Sequence, residues 1–279
     1  MNSKLVFGCA AMWWIGVAAA SDISNPAIGL VASPGDFQID GARARGNGSL
    51  TSGTTVDDLK SPTHVSLANR TRFDLAPEAQ AQIFSDRLVL KKGMAQVWPA
   101  DGFAVVANGL RLESVAALSN FRVWRLDEMT VSVTAVSGMA AAQTAAGTPV
   151  AQIPEGQTQE VSAVSGCLAQ DKSHFLVRDQ ATKTLVEVRG PDVASHVNHR
   201  VSITGVVDAA TSPVAGATRL IREAVLTDLP GEACKPPVAG WVKPAAIGAG
   251  VAAAAAVGGL AAGQVIFTGG GAAGISPGQ

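Results

Sequence analysis

From Thr63 onward apolar and polar residues alternate in short runs: Val65 and Leu67, Phe73 and Leu75, Ala79, Ala81 and Ile83, then Leu88 and Leu90. Alternation over so few residues puts successive side chains on opposite faces of a half-buried strand. The breaks carry turn chemistry, in Ala68-Asn69-Arg70, Ala76-Pro77-Glu78 and Ser85-Asp86-Arg87. Their spacing of roughly eight to twelve residues is that of an all-β domain. Upstream, Gly41, Gly46, Gly48 and Gly53 punctuate a weaker series that includes Phe37-Gln38-Ile39. Downstream, Phe103 to Val106, Leu110 to Leu112, Phe121 to Trp124, Thr130 to Val136 and Val150 to Ile153 continue it. These runs predict an antiparallel meander, with no βαβ unit.

A second series follows. Val161 to Ala169, His174 to Arg178 and Leu185 to Val188 predict three strands, with Asp179 to Lys183 as the turn between the latter two. Pro191 to Val197 predicts a short helix, with proline in its first turn. Arg200 to Val207 and Arg219 to Thr227 predict two more strands. Three strands, a helix and two strands in about seventy residues match an OB-like small barrel. Gly205 is expected where a barrel strand bends sharply.

The two ends differ from this body. Met1 to Lys4 carries one positive charge, Leu5 to Val17 is apolar, and Ala18 to Ala20 precede Ser21. Charged, apolar and small in that order is the pattern of a secretory signal, with cleavage expected between Ala20 and Ser21. The apolar run continues past Cys9 through Trp13, Trp14 and Ile15, which argues against a lipid-modified cysteine. At the other end, a Pro-rich linker at 235–243 leads to an Ala/Gly-rich apolar segment at 244–267 and a flexible tail at 268–279. The 23 residues from Ala245 to Phe267 carry no charge and are long enough to cross a bilayer core as a helix. Gly259 and Gly263 form a G-x-x-x-G step suited to close helix packing, and Trp241 is placed for the membrane interface.

Composition narrows the functional classes. Of 279 residues, 21 are basic and 22 acidic, which leaves no excess of positive charge for neutralising phosphates. Between Val161 and Cys234 there are seven Lys or Arg against eight Asp or Glu, and Phe175 is the sole aromatic residue. A basic groove with stacking aromatics is thus missing, and nucleic acid is excluded as a partner. With Cys9 removed alongside the signal, Cys167 and Cys234 remain as a candidate disulfide in an oxidising compartment.

The residues of the first series also carry a resemblance. The stretch 48–97 contains a glycine-rich lead, a Gly53-x-x-Val56 step, an Arg72-Phe73-x-Leu75-x-Pro77 hairpin and a closing Leu90-x-x-Gly93-x-x-x-Val97. It resembles the FecR-like periplasmic domain family, and residues 129–161 resemble that family's closing hairpin. The resemblance implies an antiparallel β domain over 21–160 that works in the cell envelope. Its members typically relay an envelope signal to a sigma-factor-type regulator through a transmembrane segment. The expected architecture is therefore all-β: a FecR-like domain at 21–160 and an OB-like barrel at 161–234, between a signal helix at 1–20 and an apolar helix at 244–267.

Chemistry is sparse. His196 and His199 are three apart, a spacing that allows two metal ligands on one face, but Asp192 is the sole local third donor. A polar loop is the plainer reading, and neither metal nor cofactor is expected. Ser162 to Gly166 lacks the first glycine of a nucleophile elbow. Asp57-Asp58 and Asp127-Glu128 are adjacent, so each pair points to opposite faces or lies in a turn, as solvating charges do. No catalytic residues are assigned. Arg70, Arg72 and Arg87 near hairpin tips are the candidate contact face, with edge protection by charge as the bland alternative. The expectation is an exported, membrane-tethered, non-enzymatic binding or scaffold protein, with envelope proteins or glycans as possible partners. A transmembrane signalling component is the first alternative and a carbohydrate-active enzyme the second.

Overall fold

A strand with one greasy face is stable only where that face meets another, and this chain solves the problem by closing its strands into rings. A computed structural model describes residues 26–115, 119–231 and Cys234. The predicted signal with its Ala20/Ser21 cleavage point, the linker at 235–243, the apolar segment with Gly259 and Gly263 and the tail at 268–279 lie outside the described residues. Among the described residues there are eighteen strands and no helix long and apolar enough to cross a membrane. The first seven are β1 (Ala27–Ile39), β2 (Ala42–Thr51), β3 (Thr54–Asp58), β4 (Thr63–Leu67), β5 (Arg72–Leu75), β6 (Gln80–Ile83) and β7 (Arg87–Trp98). Then come β8 (Ala104–Ala107), β9 (Leu110–Ser114), β10 (Asn120–Arg125), β11 (Thr130–Ser137), β12 (Ala140–Thr144) and β13 (Pro149–Ile153). The last five are β14 (Thr158–Asp171), β15 (His174–Asp179), β16 (Leu185–Val188), β17 (Arg200–Val207) and β18 (Arg219–Asp228).

Six strands close the first ring, in the order β1, β3, β6, β7, β5, β4 and back to β1. Its closure depends on two long corner strands. β1 pairs with β4 through Gly29–Ala32 and with β3 through Phe37–Ile39, with a register shift between Ser33 and Asp36 that bends it. β7 pairs with β6 through its first half and with β5 through its second. Gly93 marks the change of partner. Its φ is +80°, and a Cβ there would stand 2.7 Å from Ala79 Cα. The inward positions Val31, Val56, Val65, Phe73, Ala81 and Leu90 are buried. Strands β8 to β13 extend the same core, to which Phe103, Leu112, Phe121, Val133 and Ile153 belong.

The meander expected from the sequence is therefore replaced by a ring with crossovers. β1 pairs with three later strands, and β7 runs parallel to β8. Alternation fixes which face of a strand is buried but carries no information on which strand lies next to it.

Five strands close a second ring, in the order β14, β15, β16, β18, β17 and back to β14. All its pairings are antiparallel except β16 with β18. Val164, Leu168, Val177, Val186, Val188, Ile203 and Ile221 fill it, together with Val193 from outside the strands. Gly166 and Gly205 allow close approach: a Cβ at Gly166 would stand 2.2 Å from Arg178 O. The register of β17 against β18 shifts between Thr204 and Val206, so the bend falls at Gly205 as expected. The predicted helix at Pro191–Val197 is a single 3-10 turn, Val193–His196, with Pro191 ahead of it. Val197 is extended and Asn198 left-handed, with φ of +67°, so the turn cannot propagate.

β14 belongs to the second ring and also contributes to the first core. Its first half pairs with β11 and buries Val161 in the first core, while its second half pairs with β15 and β17 and buries Val164 and Leu168 in the second. Residues 160 and 161 are thus consecutive within one strand.

Candidate functional site

Two places on the surface gather polar side chains with unused bonding capacity. The first is on the outside of the six-stranded ring. Arg72 and Trp98 lie directly across from each other on β5 and β7, and Asp74 sits two residues along on the same outward face. Across from Asp74, His64 on β4 holds its carboxylate, with Nδ1 2.6 Å from Oδ1. Arg70 joins them from the β4–β5 turn, in a left-handed conformation with φ of +74°. Arg70, Arg72, Asp74 and Trp98, together with Asp101, line an open groove of roughly 900 Å³, with His64 behind Asp74. The walls are tied down by neighbours. Asn69 Nδ2 donates to Ser85 O, Thr71 N donates to Asn69 Oδ1, and Ala100 N donates to Thr71 Oγ1. Among the described residues neither Arg70 nor Arg72 makes an ion pair, and Trp98 is 36% exposed. Two uncommitted guanidinium forks beside an exposed indole make a surface for planar, polar or anionic ligands.

Arg87, the third member of the expected contact face, does not line this groove. Its guanidinium lies 4.2 Å over the Phe84 ring and pairs with Asp86.

The second place is at one end of the five-stranded ring. His196 closes the 3-10 turn, His199 precedes β17, and Asp228 ends β18. Asp228 Oδ1 accepts from both imidazoles, at 2.8 Å from His196 Nδ1 and 3.3 Å from His199 Nδ1. The rings stand edge to face with centroids 6.0 Å apart. Hydrogen bonds from the two histidines hold the Asp228 carboxyl below its ordinary range. The expected disulfide joins Cys167 to Cys234 beside this cluster, with Cα atoms 5.7 Å apart.

No protein-family model matches this chain, and no curated protein does.

Two carboxylates depart from what the sequence suggested, and two further polar groups find partners it does not show. Asp57 and Asp58 do point to opposite faces, but Asp58 is a buried group rather than a solvating charge. It accepts from Thr63, and its Oδ2 has no partner. Burial outweighs those hydrogen bonds and pushes its pKa from 3.8 up to about 7. Asp127 is likewise more than a solvating charge: it accepts from Met129 N and Thr130 N and from Arg219 of β18. Burial acts to raise its pKa, but these donors hold it low. His174 finds a partner in buried Glu187, which also accepts from Arg189 and from Val214 N. Asp228 went unseen as a partner of the histidine pair because 29 residues and a whole strand pairing separate it from His199. The one available signal was register: β18 runs antiparallel to β17, so its last residue returns to the histidines that precede β17.

Proposed function

We propose that the protein is an exported, membrane-tethered binding protein of the cell envelope, without enzymatic activity, and that it holds acidic glycans in the Arg70/Arg72/Trp98 groove. The observation that carries this reading is the groove itself. An indole offers a flat apolar face for the C–H side of a sugar ring, while flanking guanidiniums pair bidentately with carboxylates and hydroxyl-rich edges. With Asp74 held by His64, the two arginines are the groove's free cations, against the single carboxylate of Asp101. A FecR-like character for 21–160 and an OB-like character for 161–234 fit the same picture. In support of the latter, the five-stranded ring pairs its third and fifth strands in parallel, with a helical turn between its third and fourth. The Cys167–Cys234 disulfide favours an oxidising compartment, and the apolar segment at 244–267 would supply the tether.

The test titrates the full chain with polygalacturonate and with neutral dextran, alongside membrane fractionation of a tagged copy. Binding of the acidic polymer alone, weakened at least about tenfold in Arg72→Ala and in Trp98→Ala, is expected from the loss of a buried contact each. Equal binding of both polymers, or wild-type affinity in both variants, would remove the groove from consideration. Recovery of the chain from the cytosol with free thiols would remove the envelope.

A further inference from the structure

We propose that His196, His199 and Asp228 form a binding site for a divalent transition-metal ion, Zn²⁺ foremost. Their donor atoms all lie within 4.8 Å of one another. An ion with bonds of about 2.0–2.1 Å in tetrahedral geometry needs ligand atoms about 3.3 Å apart. From Asp228 Oδ1 the His199 Nδ1 stands at that edge length, 3.3 Å, and the His196 Nδ1 at 2.8 Å has about half an ångström to open. The backbone explains why two histidines three apart converge: extended Val197 followed by left-handed Asn198 reverses the chain between them.

What separates this cluster from a chance hydrogen-bonded trio is its support. Asn198 N donates to Leu168 O, Leu168 N donates to His199 O, and Cys234 N donates to Asn198 O. His199 N donates to His196 O, and Leu229 N donates to Arg200 O beside Asp228. Cys167, next to Leu168, is covalently joined to Cys234, so the two segments that clamp the histidine turn are locked to each other. Ligands held this way spend little ordering entropy on capture of an ion, which is the role outer-shell contacts play in metal sites. Asp192 and Glu223 line the depression that His196 borders, which makes it favourable for a cation.

The donor set selects the ion class. Two imidazoles and one carboxylate suit Zn²⁺ and its first-row neighbours, whereas Ca²⁺ and Mg²⁺ require oxygen ligands. Three protein ligands leave a fourth position open to water or to a side chain of a partner. The site is separate from the groove and does not depend on its ligand.

The experiment strips the full chain with a chelator and titrates it with Zn²⁺ against a chromophoric competitor. Cu²⁺ is then bound and examined by electron paramagnetic resonance. The expected result is a saturable site weakened at least about tenfold in His199→Ala and in Asp228→Asn, with His64→Ala unchanged. The Cu²⁺ spectrum of the unaltered chain should show coupling to two nitrogens, a readout that needs no variant to fold. Zn²⁺ affinity unmoved in both variants, or a Cu²⁺ spectrum without nitrogen coupling, would overturn the site.

Discussion

Asp58 offers the sharpest test of the six-stranded ring. The alternation of β3 sends Thr54, Val56 and Asp58 inward, so the carboxyl is carried into the barrel by strand period alone. Its single strong partner is Thr63, and its second oxygen is unpaired. Removal from water therefore dominates, and the folded-state pKa rises from 3.8 to about 7. The sign follows from proton counting. Between pH 4 and 7 the unfolded chain has lost this proton while the folded chain keeps it, so folding takes up a proton and stability falls as pH rises. At about 1.4 kcal/mol per unit over about three units, the loss is roughly 4 kcal/mol, complete once pH passes the folded value. The carboxyls held low by hydrogen bonds, such as Asp127 and Glu187, lose their contribution only as pH falls through more acidic values, and so leave this window clear.

The perturbation is Asp58→Asn, which keeps the shape of the protonated acid and removes its titration. Urea unfolding followed by circular dichroism from pH 4.5 to 8, with the disulfide intact, supplies the stability at each pH. The wild type should weaken steadily from pH 4.5 to about 7 and then level off, while Asp58→Asn should stay nearly level throughout, so that the wild type loses about 3 kcal/mol relative to the variant. Parallel slopes for the two proteins would refute the burial argument, because the slope would then belong to some other group.

Two further perturbations probe the second ring. Replacing both Cys167 and Cys234 by serine reopens a loop of 67 residues and should cost about 4 kcal/mol by the chain-entropy relation; thiols that titrate in the native wild-type protein would show that the bridge is not formed. Arg219 donates to Asp127 and to Thr130, tying β18 of the second ring to the β10–β11 turn, whose strands extend the first core. With Arg219 mostly covered and Asp127 about half exposed, Arg219→Ala should cost about 1–3 kcal/mol and split the urea transition into two steps. A single unshifted transition would mean that β14 and the packing of Met129 in the second core couple the two parts without Arg219.

How much was legible in the sequence follows from where each contact lies along it. Strands of the second ring were read to within three residues at every end, because Val, Ile and Leu alternate there between clear turns. β12, Ala140–Thr144, escaped as a separate strand because alanine and glutamine give no apolar contrast, though Ala140 and Ala142 are fully buried. The contact face was legible at Arg70 and Arg72, whose turn is local, but its aromatic floor was not. Trp98 reaches Arg72 only through the pairing of β5 with β7. The histidine pair was visible as a spacing, while its carboxylate arrives through long-range closure, which period-two patterns cannot specify.

The same distinction bears on how the two candidate sites are held. The groove is assembled from neighbours on adjacent strands of one ring, so any chain that closes β4, β5 and β7 in register presents His64, Asp74, Arg72 and Trp98 on one face. The histidine cluster has no such guarantee. It needs the 3-10 turn to stop at Asn198, β18 to end at Asp228, and the Cys234 segment to lie against Asn198 O. The first is local, set by Val197 and Asn198, but the other two join segments distant along the chain at a cost in chain entropy, and the disulfide is the one device among the described residues that offsets that cost covalently. Because Cys167 stands on β14, the strand common to both cores, the bridge anchors the metal-competent turn to the most deeply shared element of the fold. A reducing compartment would therefore loosen the cluster first and leave the groove in place.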